Sequence, residues 1–425
     1  MTQPQAIPHL PLLGVTVLEL SQIMAGPTCG LMLADLGADV IKVEKYPNGD
    51  DARNYKADKT AETSNPLAGL PPSFMMLNRG KQSIALDIKH PQGREVLKRM
   101  AAQCDVLTEN FRPGTLEKLG LGYAALAQIN PSLIYASVSG YGLRGPLAEK
   151  GGFDLIAQAF AGIISVTGEP GRPPVKPGVS TADINAGILA VVGILAAYVH
   201  RLKTGQGQRV ETSLMQAAMQ QTYWLAAAYF ATGISGQPLG TAHPVIAPYQ
   251  CFECADGSIA LGGANETNWK RVADLLGHAE WLIDPRFDDG GKRLKNRLVL
   301  EALMTPIFKQ KLRAEWIAAF DAVGVPIGPV QTVGEALDHP QSRAVDMVID
   351  ADDPQGAAGS GRTRRALGLP LQLSGTNEPN RSAPPRVGQH TAQVLTRFGF
   401  GEAEIAALLK AGAVFEAIPM PTKPG

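Results

Sequence analysis

The chain has 425 residues, 45% of them hydrophobic, with 39 Lys and Arg set against 39 Asp and Glu. That length supports a large core and more than one domain. The balanced charge argues against a polybasic surface for nucleic acid or anionic lipid, but leaves room for a local basic pocket for a small phosphorylated ligand.

The opening MTQPQAIPHLPLLG lacks the positive start and continuous apolar stretch of a signal peptide. VTVLEL at 15–20 reads as a strand, AGPTCGLMLADLG at 25–37 as a helix stopped by Gly37, and DVIKVE at 39–44 as the next strand. This βαβ unit predicts parallel strands and a doubly wound sheet. After a turn-rich loop from Tyr46 to about Pro72, further strands are expected at 83–88, 105–111 and 133–139. A helix from about Pro91 lies among them, with Arg94, Lys98 and Arg99 on its solvent side. Helices are expected over 154–164 and 183–202, a short strand at QRVETSL, and one helix over 215–230. The apolar run 186–199 has 14 residues, short of the roughly 20 that a membrane span needs. It therefore reads as a buried helix, and a cytoplasmic location is the expectation.

The character changes near 231, where ATGISGQPLGTAHPVIAPYQ has little periodicity. Short strands around CFECADGSIALGG and helices near 267–276 and 295–321 follow. The expected domains are 1–225, a smaller one over 226–335, and a C-terminal part over 336–425 holding two short helices. Four cysteines make no disulfide scaffold. Cys251 and Cys254 have C-x-x-C spacing, but no second pair or nearby histidine completes a zinc set. The seven histidines show no metal spacing, so no metal is expected.

Asp183, in VSTADINAGILA, precedes a long apolar helix, where an aspartate is ordinarily an N-cap. The alternative is a carboxylate in an apolar cleft attacking an activated carbonyl; small neighbours Ser180, Thr181, Ala182, Ala186 and Gly187 would leave room for it. The segments SGYGLRGP at 139–146, EKGGFD at 149–154 and LGGAN at 261–265 can present backbone N–H groups to an anion, though most such segments are merely turns. AGP at 25–27 opens the first helix after the first strand, where open α/β sheets bind phosphates. It lacks GxGxxG, which disfavours a dinucleotide. Lys42, Lys45, Arg79, Lys81, Arg112 and Lys118 fall at or beyond predicted strand ends. Together they make a phosphorylated nucleotide plausible.

The segments GVTVLELSQIMAGPTCGLMLADLGADVIKVEKYPNGD, FMMLNRGKQSIALDIKHPQGREVL, DVLTENFRPGTLEKLGLGYAALAQINPSLIYASVSGYGLRGP, GGFDLIAQAFAG and ADINAGILAVVGILAAYVHRLKTGQGQRVETSL, with VPIGPV and RVGQHTAQVL, resemble the family III coenzyme A transferases across essentially the whole chain. That group includes formyl-CoA transferase and carnitine CoA-transferase. The resemblance implies a Rossmann-like large α/β domain built from both ends of the chain, a smaller α/β domain, and two subunits interlocked like links. It implies that coenzyme A moves from an acyl-CoA to a carboxylic acid through a mixed anhydride and an aspartyl-CoA thioester, with no tightly bound cofactor and with acyl-CoA and small acids as partners.

Its nucleophile falls on Asp183. Its coenzyme A contacts fall on Gln22, Ile23, Met24, Ala25, Lys45, Asn110, Phe111 and Lys118, with Lys81 and Arg112 as helpers. Phe153 and Asp154 lie near the reacting centre, and Gly262 and Gly263 match a loop that shields the intermediate. Several members carry His in place of Gln22 and Arg in place of Lys45 and Lys118; the lysines keep charge but lose bidentate geometry.

One alternative is an α-methylacyl-CoA racemase, which places a histidine before the aspartate of its GHD-type segment. Phe153 stands there in this chain and cannot abstract a proton. Another is a non-catalytic acyl-CoA-binding protein, which an intact Asp183 disfavours.

Overall fold

Apolar runs alternating with glycine-punctuated helices produce the expected βαβ opening. β1 (Thr16–Glu19) passes through α1 (Ala25–Asp35) to β2 (Asp39–Glu44), and Gly37, at φ 100°, makes the left-handed turn between the last two. The rhythm continues with α2 (Pro72–Asn78), β3 (Gln82–Leu86), α3 (Pro91–Ala101), β4 (Val106–Glu109), α4 (Thr115–Lys118), α5 (Tyr123–Ile129) and β5 (Ile134–Ser139). Then come α6 (Asp154–Phe160), α7 (Thr181–Thr204), β6 (Arg209–Ser213) and α8 (Leu214–Gln220). The six strands are parallel in the order β3-β2-β1-β4-β5-β6, a Rossmann-type order with its reversal between β1 and β4. Val17, Leu18, Val40, Ile41, Val106 and Leu107 are fully buried, as strands covered by helices on both faces require.

The computed structural model describes residues 10–55, 70–263, 265–353, 363–376 and 380–417. The chain divides into two compact units: Met1–Ala161, Gly178–Thr222 and Pro340–Gly425 form the first, and Gly162–Pro177 with Tyr223–His339 form the second. The expected division gave 162–177 to the large domain instead.

In the first unit, α7 is longer than expected and begins two residues earlier. Ala182, Ala186 and Ala190 are buried along one side. A Cβ on Gly187 would lie 2.6 Å from the Ala25 carbonyl oxygen and 2.7 Å from Thr28 Cβ. The small residues of this segment therefore let α1 and α7 cross in close contact. On another face Ile184, Val192, Val199 and Leu202 are exposed. By length and composition alone α7 could cross a membrane, although a first-turn aspartate and close packing on α1 also suit a core helix of a soluble protein.

The second unit begins its long segment with α9 (Tyr223–Thr232). One continuous helix was expected over 215–230, but the Gln221 and Thr222 amides donate three residues back, to Ala218 and Met219. That tightening ends α8. β7 (Tyr249–Cys254) and β8 (Gly257–Gly262) form an antiparallel hairpin, followed by α10 (Glu266–Leu276), α11 (Gly290–Lys295), α12 (Arg297–Phe308) and α13 (Arg313–Ala322). β9 (Ile327–Pro329) pairs with β8, and α14 (Val333–Asp338) closes the unit. Trp269, Phe287, Phe308 and Phe320 form its core. Cys254 is buried and Cys251 half-buried, three positions apart on β7, and so on opposite faces of the strand.

From α15 (Pro340–Ala344) the chain belongs to the first unit again, through a hairpin of β10 (Val348–Asp352) and β11 (Thr363–Leu367), then α16 (Thr391–Arg397), α17 (Glu402–Lys410) and β12 (Val414–Phe415). β12 adds antiparallel to β3, making the large sheet mixed. Val394, Leu395 and Phe398 share a core with Leu97, Met100 and Leu107. Arg79, buried and paired with Asp35, donates to the carbonyls of Leu367 (2.9 Å) and Asn380 (2.8 Å), tying this return to α1.

Candidate active site

A cavity of about 270 Å³ opens beyond the carboxyl ends of β1, β4 and β5. The sheet order reverses between β1 and β4, and ligands collect at such switch points because the connecting segments diverge there. Residues 22–25 follow β1, residues 110–113 follow β4, and residues 138–140 end β5. Residues 150–153, Asp183 and Leu214 complete the lining.

The wall after β1 is held from below. Asn110 clamps the Gln22 backbone, accepting from its amide at 2.9 Å and donating to its carbonyl at 2.8 Å. Ile23 has φ 70°, a left-handed conformation that costs a β-branched residue about 1–3 kcal/mol. Its amide donates to Asp50 Oδ1 at 2.9 Å. Beneath this turn, fully buried Lys42 bridges Glu19 and Asp50, 2.8 Å from each. Lys81 Nζ lies 2.8 Å from the other Glu19 oxygen. Gly30 gives that carboxylate its space: a Cβ there would lie 1.6 Å from Glu19 Oε2.

The opposite wall depends on two glycines. A Cβ on Gly140 would lie 2.6 Å from Gly152 N, and one on Gly152 would lie 2.6 Å from Gly140 Cα. The segments SGYG and KGGFD thus meet backbone to backbone, leaving no room for a side chain on either. Gly152→Ala is expected to destabilise the protein by roughly 1–3 kcal/mol, read as a lower urea midpoint at an unchanged denaturant slope. The neighbouring Arg112 and Lys150 bring positive charge to the cavity lining.

Asp183 lies in the first turn of α7 but is not its cap. The carboxylate of Asp154, at the start of α6, takes that role through space: its Oδ1 accepts from the Ala182 amide at 3.0 Å and the Asp183 amide at 3.4 Å. Its Oδ2 accepts from the buried Gln158 side chain at 2.7 Å. The Asp183 side chain is thereby released to line the cavity, with no hydrogen-bond partner for its carboxylate among the described residues. Burial pushes its pKa up to about 6, and the charge of Asp154 adds to the shift.

Of the residues singled out from sequence, Gln22, Ile23, Met24, Ala25, Asn110, Phe111, Arg112, Phe153 and Asp183 line this one cavity. Asp154 is buried behind it. Lys45 and Lys118 are exposed and outside the lining, Lys45 being paired with Asp51 at 2.5 Å. Lys81 does not fit its expected role as a phosphate helper. Its ammonium is fully buried against Glu19, the Pro27 carbonyl and Asn78, and burial pushes its pKa down to about 8 against the pull of Glu19. Lys42 and Arg79 are likewise buried in ion pairs rather than presented at strand ends.

Gly262 and Gly263 belong to the second unit. A Cβ on Gly263 would lie 2.9 Å from the Pro248 ring, and one on Gly262 3.2 Å from Pro326. Lys150 was missed, although it sits within EKGGFD, a segment singled out for its glycines, Phe153 and Asp154. Val138 and Leu214 carry no chemical signal that could have marked them. Among the described residues no three of His, Cys, Asp and Glu converge as a metal set.

The family model for CoA-transferase family III matches residues 12–391. An acyl-CoA transferase of Fusarium pseudograminearum (strain CS3096) is 38% identical, over 95% of this chain and 88% of its own. The succinyl-CoA:glutarate CoA-transferase of Homo sapiens is 33% identical, over 95% of this chain and 90% of its own. The crystal structure of a CAIB/BAIF family protein from Brucella suis superposes with a TM-score of 0.78 at 37% identity, covering 91% of this chain and 99% of that one. By sequence and by fold, this chain belongs to CoA-transferase family III and is an acyl-CoA:carboxylate CoA-transferase.

Proposed function

We propose that Asp183 is the covalent nucleophile of this transferase, and that the walls at 22–25, 110–113 and 150–153 hold the coenzyme A part of the acyl-CoA. One observation carries this reading: Asp154 caps α7, so the half-buried Asp183 carboxylate faces the cavity without a hydrogen-bond partner among the described residues. Desolvation removes the water shell that makes a carboxylate a poor nucleophile.

An Asp183 oxygen attacks the donor thioester carbonyl, and collapse of the tetrahedral adduct expels the coenzyme A thiolate, leaving a mixed anhydride. The thiolate attacks the aspartyl carbonyl and releases the donor acid, giving an aspartyl-CoA thioester. The acceptor carboxylate attacks that thioester and expels the thiolate again. Thiolate attack on the acceptor's acyl carbon then yields the new acyl-CoA and restores Asp183. Each exchange keeps one activated acyl bond, so no external energy source is consumed. Phe153 lines the cavity where a racemase would carry its histidine, which favours transfer over proton abstraction.

Small dicarboxylates are the proposed substrates, on the support of the human relative named for succinyl-CoA and glutarate. The proposed assembly is an interlocked homodimer. The uncovered apolar stripe of α7, and the exposed Tyr223, Trp224 and Phe230 of α9, supply apolar surface for a second copy.

The covalent step is tested by incubating the enzyme with succinyl-CoA, quenching with hydroxylamine or borohydride, and mapping the peptides by mass spectrometry. The modification is expected on the peptide containing Asp183 and only after acyl-CoA is added. Modification of a different carboxylate would reject the assignment.

A further inference from the structure

Ile23 is the non-glycine residue of the cavity wall that stands at positive φ, and a chain of buried charges leads straight to it. Lys42 Nζ donates to the Ser21 carbonyl at 2.9 Å and lies 2.8 Å from both Glu19 Oε1 and Asp50 Oδ2. Asp50 Oδ1 then accepts from the amides of Ile23 and Ala52, each at 2.9 Å. Asp50 is held in turn through its own amide, which donates to Glu44 Oε2 at 2.9 Å. Glu44 pairs with Arg53 at 2.6 Å and accepts from the Ser83 hydroxyl at 2.6 Å. The Lys42, Glu19 and Asp50 side chains have no solvent-exposed surface.

Such a cluster is a costly way to stabilise a fold, because desolvating ions offsets most of their attraction. Nothing in the transfer chemistry uses these charges directly. What they do determine is where residues 22–25 stand, and that segment lines the cavity. A β-branched residue at positive φ persists only where its surroundings over-determine it.

We propose that the buried Glu19–Lys42–Asp50 chain is a positioning device: Asp50, aimed by Lys42, pins the Ile23 amide and so sets the 22–25 wall against which coenzyme A binds. This rests on the reading that the cavity takes coenzyme A. Asp50 and Lys42 are positioning residues that act on the ligand through the backbone of Ile23. The device has a specific signature, because glycine adopts the left-handed conformation without strain. A chain carrying Ile23→Gly no longer needs Asp50 to hold the turn.

The test measures the dissociation constant for coenzyme A by calorimetry on the full-length protein, with the melting temperature recorded for every variant. Asp50→Ala is expected to weaken coenzyme A about tenfold by depopulating the binding-competent wall. Asp50→Asn, whose amide sets a donor against either Lys42 or the Ile23 amide, should weaken it about threefold. In the Ile23→Gly background both losses should shrink to less than about twofold, although the melting temperature falls with the Asp50 substitution in either background. If Asp50→Ala does not fold, the Asp50→Asn pair of backgrounds decides alone. Equal weakening with Ile23 and with Ile23→Gly would overturn the proposal, as would unchanged affinity in the Asp50 variants. A wild-type protein that fails to bind coenzyme A would overturn the cavity reading itself, which is a distinguishable result.

Discussion

Asp183→Ala is expected to abolish transfer, lowering kcat by about 10⁴-fold or more, while the dissociation constant for coenzyme A changes less than about threefold. The split follows from where the carboxylate stands. It lines the cavity together with the segments proposed to hold coenzyme A, yet in the proposed mechanism its work begins only when an oxygen attacks the thioester. A group used in bond making lowers the barrier without holding the ground state. Asp183→Asn, nearly identical in shape, should be equally inactive, which separates loss of the nucleophile from loss of volume. A variant retaining transfer within tenfold of wild type would end the covalent mechanism.

Stability should respond in the opposite sense. The folded pKa of Asp183 is raised to about 6, so the fold penalises its ionised form. The contribution of this group is fully present below the ordinary carboxylate pKa of about 4 and is lost as pH rises through about 6. At pH 7 to 8 the Asn variant is therefore expected to melt no lower than wild type, and a clear fall would show that burial does not dominate this site.

Much of the catalytic region is written locally. DVIKVE folds over the span expected, because a βαβ unit with strong apolar runs and a glycine stop leaves little choice. The sheet order could not be read from any one segment, yet it is what brings Gln22, Asn110 and Gly140 to one cavity. Local reasoning also took Asp183 for a helix cap, since an aspartate at a helix start ordinarily is one. The residue that caps α7 lies twenty-nine positions earlier, on α6, and only the tertiary fold connects them. The lysines misled for a related reason: charge at a strand end reads as exposed, but Lys42 and Lys81 converge on Glu19 beneath α1. β10 and β11 carry charged and small residues in an edge hairpin, VIDAD against TRRAL, so their period-2 apolar signal is weak.

The division of labour between two carboxylates predicts opposite outcomes for two substitutions at Asp154. Asp154→Asn keeps an oxygen that can accept from the Ala182 and Asp183 amides but removes the negative charge beside the proposed nucleophile. In the wild-type enzyme, kcat/KM should rise with pH through a limb at about 6, because in the proposed mechanism only ionised Asp183 attacks. Burial is the larger cause of that raised value and survives the substitution; the charge of Asp154 is the smaller and does not. The limb should therefore move to lower pH, by roughly one unit at most, with the plateau rate within about tenfold of wild type.

Asp154→Ala removes the two hydrogen bonds accepted from the start of α7, together with the one from Gln158, and frays that helix end. It should cost about 0.5–2 kcal/mol of stability and about 10²-fold in kcat, because an ångström of misplacement is enough to lose a near-attack geometry. If Asp154 served only the fold, Asn and Ala would differ in melting temperature, but both would keep the acidic limb at about 6. A shifted limb in the Asn variant, with its rate near wild type, assigns the charge to the electrostatics of the nucleophile and the hydrogen bonds to its placement.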